Sequence, residues 1–266
     1  MKVALVSLDQ VWEDKTANKF HCERISYEIK QTCPDVDLII YPELTLTGFS
    51  IDNPALPELV DGASEAEVFF SGLSKRTNTE HLYGFLAKGK DGSVTNRLQA
   101  IGSEGHLLGH YDKIHTFSYA GESEYIRKGK ALKVFDIGGI SIGATICFDL
   151  RFPEIYQAYR HQSTAIVNIA NWPSTRTNQW LALLQARAIE TQGFVIGVNR
   201  TGEDGKGLKY ERSSAIFDPQ GDRVTSAHST DEWELFEIDL ETVKVIRKNF
   251  PFIDDRQQDI YRKFDR

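Results

Sequence analysis

At 266 residues, with 41% hydrophobic and 26% charged residues, the chain has the composition of an ordinary globular protein, long enough to bury a core without disulfide staples. Its 31 Lys and Arg against 38 Asp and Glu leave a formal charge of -7, which argues against nucleic acid or an anionic membrane as the main partner. Three cysteines (Cys22, Cys33 and Cys147) without a CxxC pair, no window of 18 apolar residues, and no signal-peptide core in MKVALVSLDQVWEDK fit a reducing, cytoplasmic setting with no transmembrane helix.

Strand-like and helix-like stretches alternate along the chain. Val3–Leu8 reads as a strand, Lys15–Gln31 as a helix with Phe20, Ile25 and Ile29 at helical spacing, and Asp37–Glu43 as a short buried strand. A helix over Ala63–Thr77, a strand over His81–Lys88 and a hairpin formed by Val94–Gly102 and Gly105–Tyr111 follow. Leu132–Ile137 and Ile140–Cys147 are strands joined at Gly138-Gly139, and Pro153–His161 is a short helix with proline in its first turn. Beyond these come a strand (Ala165–Asn171), a long helix (Thr175–Gln192) and a further strand (Phe194–Arg200). Ser213–Asp218 and Arg223–Ala227 flank a Pro-Gln-Gly turn, and Trp233–Leu240 is a late strand before a short helix and a polar tail. With no linker, short-period repeat or low-complexity tract, the expectation is one α/β domain over residues 1–266, its mixed sheets covered by helices.

Three positions stand where strands end. In Ile140–Cys147, Ser141, Gly143, Thr145 and Cys147 share a small, polar face suited to lining a pocket, and Cys147 closes the run just before a turn. The turn's backbone N–H groups can face a developing oxyanion, whereas an inert buried cysteine is the plainer alternative. Glu43 ends Asp37–Glu43, on the same face as Ile39 and Tyr41, and the carboxyl ends of strands are where open α/β sheets bind ligands. Lys113 ends the following hairpin, with His115 beside it; His161 and His228 occupy unremarkable settings. Gly139–Gly143 matches GxSxG, but Ser141 lies inside an alternating strand rather than at a strand-to-helix turn, so a serine hydrolase is rejected. HExxH, GxxxxGK[ST] and GxGxxG are absent, leaving metal, P-loop and dinucleotide readings without support.

YPELTLTGF around Glu43, YDKIHTF around Lys113 and ICFDLRFPE around Cys147, in that order, resemble the nitrilase superfamily of carbon–nitrogen hydrolases; ANWPSTRTNQW and LLQARAIETQGFVIGVNRTG extend the likeness over nearly the whole chain. The resemblance implies a four-layer αββα sandwich and a Glu43–Lys113–Cys147 triad. In it, Glu43 is the general base, Cys147 the nucleophile, and Lys113 with the backbone N–H of Phe148 the oxyanion donors. It implies an accessory Glu122, no cofactor or metal, and assembly as a homodimer or larger homo-oligomer. Lys113 is expected to favour the Cys147 thiolate. The run after Cys147 resembles the omega-amidase branch, which implies small omega-amides such as 2-oxoglutaramate and 2-oxosuccinamate as substrates. Arg176 is then the first candidate for the substrate carboxylate, because a guanidinium binds it bidentately. Arg151 is its rival, able instead to pair with Asp149 or Glu154, and Trp172 completes the substrate-binding set. Thr116 stands where leucine is common in the lysine motif, which bears on substrate preference. A deaminated-glutathione amidase, an N-carbamoyl amidohydrolase and an inactive binding protein on the same fold stay open as alternatives.

Overall fold

In the computed structural model, which describes residues 1–264, the strands sort into two large sheets and one small one. The first large sheet begins with β1 (Lys2–Val6), β2 (Leu38–Ile40), β3 (Glu58–Leu59), β4 (Glu80–Lys88), β5 (Val94–Ile101) and β6 (Leu107–Asp112). The second holds β7 (Val134–Ile137), β8 (Ile140–Ile146), β9 (Ala165–Ala170) and β10 (Phe194–Asn199). A two-stranded hairpin follows, β11 (Gly202–Glu203) with β12 (Lys209–Tyr210). Then β13 (Ala215–Phe217) joins the second sheet, and β14 (His228–Ser229) and β15 (Trp233–Glu237) return to the first. The first sheet runs β14-β15-β1-β2-β4-β5-β6 with β3 beside β4, and the second β13-β10-β9-β8-β7.

Both sheets are mixed. In the first, β1, β2 and β4 pair in parallel. In the second, β8, β9 and β10 do so, and β9 and β10 are buried on both faces, as parallel strands between layers must be. Leu5, Ile40, Leu82 and Leu98 from the first sheet and Ile142, Ala144, Ile146 and Ile169 from the second belong to one continuous core. On the far side of the first sheet lie α1 (Lys15–Thr32) and α2 (Glu65–Thr77), whose Ile25, Ile29, Phe70 and Leu73 meet Ala4, Ile39, Tyr41 and Tyr83. Asp14 caps α1 through the Ala17 N–H, and Ser64 caps α2 through the Glu67 N–H. After the four-residue α3 (Glu122–Tyr125), α4 (Pro153–Tyr159) and α5 (Thr177–Thr191) cover the second sheet. Gly197 admits α5 closely: a Cβ there would stand 2.4 Å from Leu184 Cδ1. The result is the expected four-layer αββα sandwich. Two C-terminal helices, α6 (Glu241–Asn249) and α7 (Gln258–Phe264), complete the order, and among the described residues no helix is long and apolar enough to cross a membrane.

Three expectations change, and one element went unread. The strand expected over Asp37–Glu43 stops at Ile40, because Pro42 has no N–H for the ladder; Tyr41 faces the helix layer, and Glu43 lies in the turn that follows. Of the small face expected to line a pocket, Cys147 lines a cavity while Ser141, Gly143 and Thr145 do not. Gly143 packs against the Tyr159 ring of α4, and the Thr145 hydroxyl donates to Val167 O at 2.8 Å. Arg223–Ala227 forms no strand, only a bridge from Arg223 to Phe217, since Asp218 and Asp222 close a tight turn at that point. The β11–β12 hairpin, at two residues a strand, is too short to carry a period readable in sequence.

Candidate active site

Glu43, Lys113 and Cys147 each stand one step beyond a strand or in the turn after it. The chain leaves β2, Leu44 adopts φ +47°, and the Glu43 side chain meets Asn96 and Lys113 rather than the helix layer. The turn is held by Gln10 Nε2, which donates to the carbonyls of Glu43 and Leu44 at 2.9 Å each, and by Thr45 N–H donating to Gly84 O. Gly84 is required here: a Cβ would lie 2.6 Å from the Leu44 nitrogen. Lys113 follows β6, its N–H donating to Asn96 O on the neighbouring strand, and its carbonyl accepts from Gly129 N–H at 2.7 Å. Cys147 follows β8 with φ +45°, a left-handed conformation costly for a residue with a Cβ, and opens a 3₁₀ turn through Arg151. Arg187 of α5 anchors that turn by donating twice to Leu150 O, at 3.1 and 3.0 Å.

The side chains converge. Lys113 Nζ, fully buried, donates to Glu43 Oε1 at 3.0 Å and to Glu122 Oε1 and Oε2 at 3.1 and 3.0 Å. Asn96 Nδ2 donates to Glu43 Oε1 at 2.7 Å and to Glu122 Oε1 at 3.1 Å, and Phe117 N–H donates to Glu122 Oε2 at 2.6 Å. Asn171 links this cluster to the thiol. Its N–H donates to Glu43 Oε2 at 2.9 Å, its side chain to Glu43 O at 2.6 Å, and its carbonyl faces Cys147 Sγ at 4.0 Å. Burial acts to lower the Lys113 pKa, but Glu122 and Glu43, with Cys147, outweigh it and keep the ammonium charged. Burial, with Glu43 and Glu122 nearby, pushes the Cys147 thiol well above its ordinary range; Lys113 pulls the other way and loses. This direction runs against the thiolate expected from Lys113 alone, and burial is its largest cause.

Cys147 opens into a cavity of about 140 Å³. Phe148 and Trp172 line it beside Cys147, Phe49 comes from the loop after β2 and Tyr210 from β12, and Arg151 and Arg176 face it. Trp172 Nε1 donates to Arg176 O at 2.9 Å, which fixes the turn presenting that arginine. Arg151 lies 4.8 Å from the Trp172 ring and donates to Gln179 Oε1 at 2.8 Å. The pairing considered for it with Asp149 or Glu154 does not form, since Asp149 is taken up by Tyr111, His115 and Ile146. Among the described residues neither Arg151 nor Arg176 has a carboxylate within 4.0 Å, and burial together with Arg176 lowers the Arg151 pKa.

A carbon-nitrogen hydrolase family model matches residues 2–248. The chain belongs to the carbon-nitrogen hydrolase family. Omega-amidase YafV of Yersinia enterocolitica is 34% identical to this hydrolase over 258 residues, 96% of each chain. The 2-oxoglutaramate amidase of Bacillus subtilis is 31% identical over 242 residues, 90% of this chain and 92% of the relative. A CN-hydrolase superfamily protein of Xanthomonas campestris, solved with an arsenic adduct in its active site, superposes with a TM-score of 0.86 at 28% identity, covering 97% of both chains.

The structure brings together all four residues picked from the sequence of this hydrolase as catalytic, and puts Phe148, Trp172, Arg151 and Arg176 around the same cavity. Sequence reasoning missed Asn96 and gave Asn171 no role. Asn171 had a signal, since it directly follows a parallel strand's carboxyl end. Asn96 had none: it sits inside β5 like any other polar strand residue, and its role comes from the pairing that lays β5 beside β6.

Proposed function

We propose that this hydrolase cleaves the terminal amide of small omega-amides bearing a carboxylate, 2-oxoglutaramate and 2-oxosuccinamate above all, to ammonia and a dicarboxylate. The observation that carries this reading is one small cavity lined by Lys113, which Glu43 holds, by Cys147, and by two arginines that have no carboxylate within 4.0 Å among the described residues. A guanidinium so placed takes a substrate carboxylate through paired hydrogen bonds. Arg176 is the proposed ligand, Arg151 supports it, and Trp172 forms the wall between them.

In the proposed reaction the Cys147 thiol gives its proton to the Glu43 carboxylate as sulfur attacks the amide carbon. The carbonyl oxygen takes up the charge and is stabilised by the Lys113 ammonium and the Phe148 N–H. The tetrahedral adduct collapses with loss of the amine, which takes the proton back from Glu43 and leaves as ammonia. Water, deprotonated by Glu43, then attacks the thioester; the carboxylate product departs and the thiol is restored. Glu122 holds Lys113 in place and charged. The proposed setting is cytoplasmic and the proposed assembly a homodimer or larger homo-oligomer.

The test is ammonia release from purified protein given 2-oxoglutaramate, glutamine or an N-carbamoyl amino acid in parallel. Release from the keto-amide well above the other two is the expected result. Preference for the carbamoyl compound, with carbon dioxide evolved, would replace this reading by the carbamoyl one. Release from none, with Cys147 inert, would favour a binding protein.

A further inference from the structure

Asp149 takes part in no step above, yet its carboxylate is fully buried and accepts four hydrogen bonds. Its Oδ1 accepts from the His115 backbone N–H at 2.9 Å and faces His115 Nδ1 at 2.8 Å. Because a carboxylate only accepts, the His115 proton sits on Nδ1. Its Oδ2 accepts from the Tyr111 hydroxyl at 2.8 Å and from the Ile146 backbone N–H at 3.0 Å. A buried carboxylate is costly unless its donors are supplied, and here they come from two places only. Tyr111 and His115 flank Lys113; Ile146 immediately precedes Cys147. The Tyr111 oxygen also accepts from the Ile114 N–H at 3.2 Å, drawing that same segment in. A second contact joins the same two stretches: the His115 ring stacks on Phe152, at the end of the Cys147 turn, with centroids 3.8 Å apart and planes at 12°.

The two proposed oxyanion donors, Lys113 Nζ and Phe148 N–H, therefore lie on opposite sides of this joint. We propose that Asp149, with His115 and Tyr111 as its donors, is a positioning residue that sets the spacing between the Cys147 turn and the Lys113 segment. The inference rests on the roles given to Lys113 and Cys147 above. It gives His115 a purpose other than proton transfer to the thiol. Asparagine cannot substitute at position 149: in either orientation its amide nitrogen meets a backbone N–H, that of Ile146 or that of His115.

The test compares Asp149→Asn, His115→Phe and Tyr111→Phe with the wild type. His115→Phe retains a ring to stack on Phe152, and Tyr111→Phe loses only a hydroxyl, so these two keep the test open should Asp149→Asn fail to fold. For Asp149→Asn, kcat is expected to fall about 100-fold, the scale of a misplacement of roughly 1 Å at a reacting centre, with KM little changed. The two phenylalanine variants are expected to lose less kcat, again with KM held. Alkylation of Cys147 by iodoacetamide is expected to slow in all three, because drawing Lys113 away removes the cation that favours thiolate. A role confined to folding would lower the melting temperature while leaving the alkylation rate and the kcat of the folded protein unchanged. Wild-type kcat and wild-type alkylation in folded variants would overturn the proposal. Alkylation needs no substrate, so it still tests the joint if the omega-amide reading fails.

Discussion

Lys113 is held from two sides by carboxylates, and the balance of charge around it decides how the thiol behaves. Burial first, and then Glu43 and Glu122, push the Cys147 thiol well above its ordinary range, and Lys113 offsets only part of this. Glu122→Gln removes one of the two anions that hold the ammonium while keeping an acceptor for Phe117 N–H. Its kcat is expected to drop about tenfold, equivalent to about 1.4 kcal/mol, with KM little changed, in steady-state kinetics. Arg176→Ala acts on the other half of the cavity: KM for a carboxylate-bearing amide is expected to rise 10- to 100-fold, about 1.5–3 kcal/mol for a lost charged hydrogen bond, with kcat retained. These two variants separate the group proposed to make the chemistry from the group proposed to read the substrate. Glu43, Lys113 and Cys147 were legible in the sequence because each ends an apolar run and carries a local motif. Asn96, Asn171 and the Tyr111 and His115 donors of Asp149 were not, because their partners are 24 to 128 residues away, and only the folded pairing brings them in.

At the scale of elements, the site is made where strands stop. The alternating pattern located the strands but not their ends: Pro42 ended β2 early, and the left-handed residues Leu44 and Cys147 turned the chain out of the sheet at two corresponding places. The helix layer behind the first sheet carries a pH dependence of its own. His81 on β4 is fully buried between Ser26 of α1 and Ser74 of α2, with Nδ1 2.8 Å from Ser74 Oγ and Nε2 3.3 Å from Ser26 Oγ. Burial pushes its pKa down to about 3. The folded state thus binds this proton less readily than the unfolded chain, so the stability His81 contributes is present above about pH 6.5 and is lost as pH falls toward 3. Glu80, pushed up to about 7 chiefly by burial, works in the opposite sense: its contribution is present at low pH and lost as pH rises through 7. Comparison with His81→Gln therefore isolates the histidine. Urea unfolding between pH 6 and 4 is expected to show the wild type losing up to about 1.4 kcal/mol per pH unit more than the variant. Parallel curves would remove His81 as the source.

At the scale of the whole molecule, the site straddles the sandwich. Glu43 and Lys113 come from the first sheet, Cys147 and Asn171 from the second, and the core between the sheets sets their register. Layer architecture was legible from the alternation of elements; the packing of one sheet's ends against the other's was not, since it is a property of the assembled core. Leu82→Ala, opening a hole in that core, is expected to cost about 2–5 kcal/mol in chemical denaturation. It is expected to lower kcat well below the unfolding transition; loss of stability with full kcat would mean the two sheets do not need tight packing to align the site. The central claim is that Cys147 carries the acyl group. The most direct measurement is mass spectrometry of enzyme acid-quenched during turnover of 2-oxoglutaramate. The account predicts that the peptide containing Cys147 gains the mass of the substrate less ammonia, and that Cys147→Ala shows neither adduct nor ammonia release. Turnover that persists in Cys147→Ala, or an adduct carried by another residue, would contradict it.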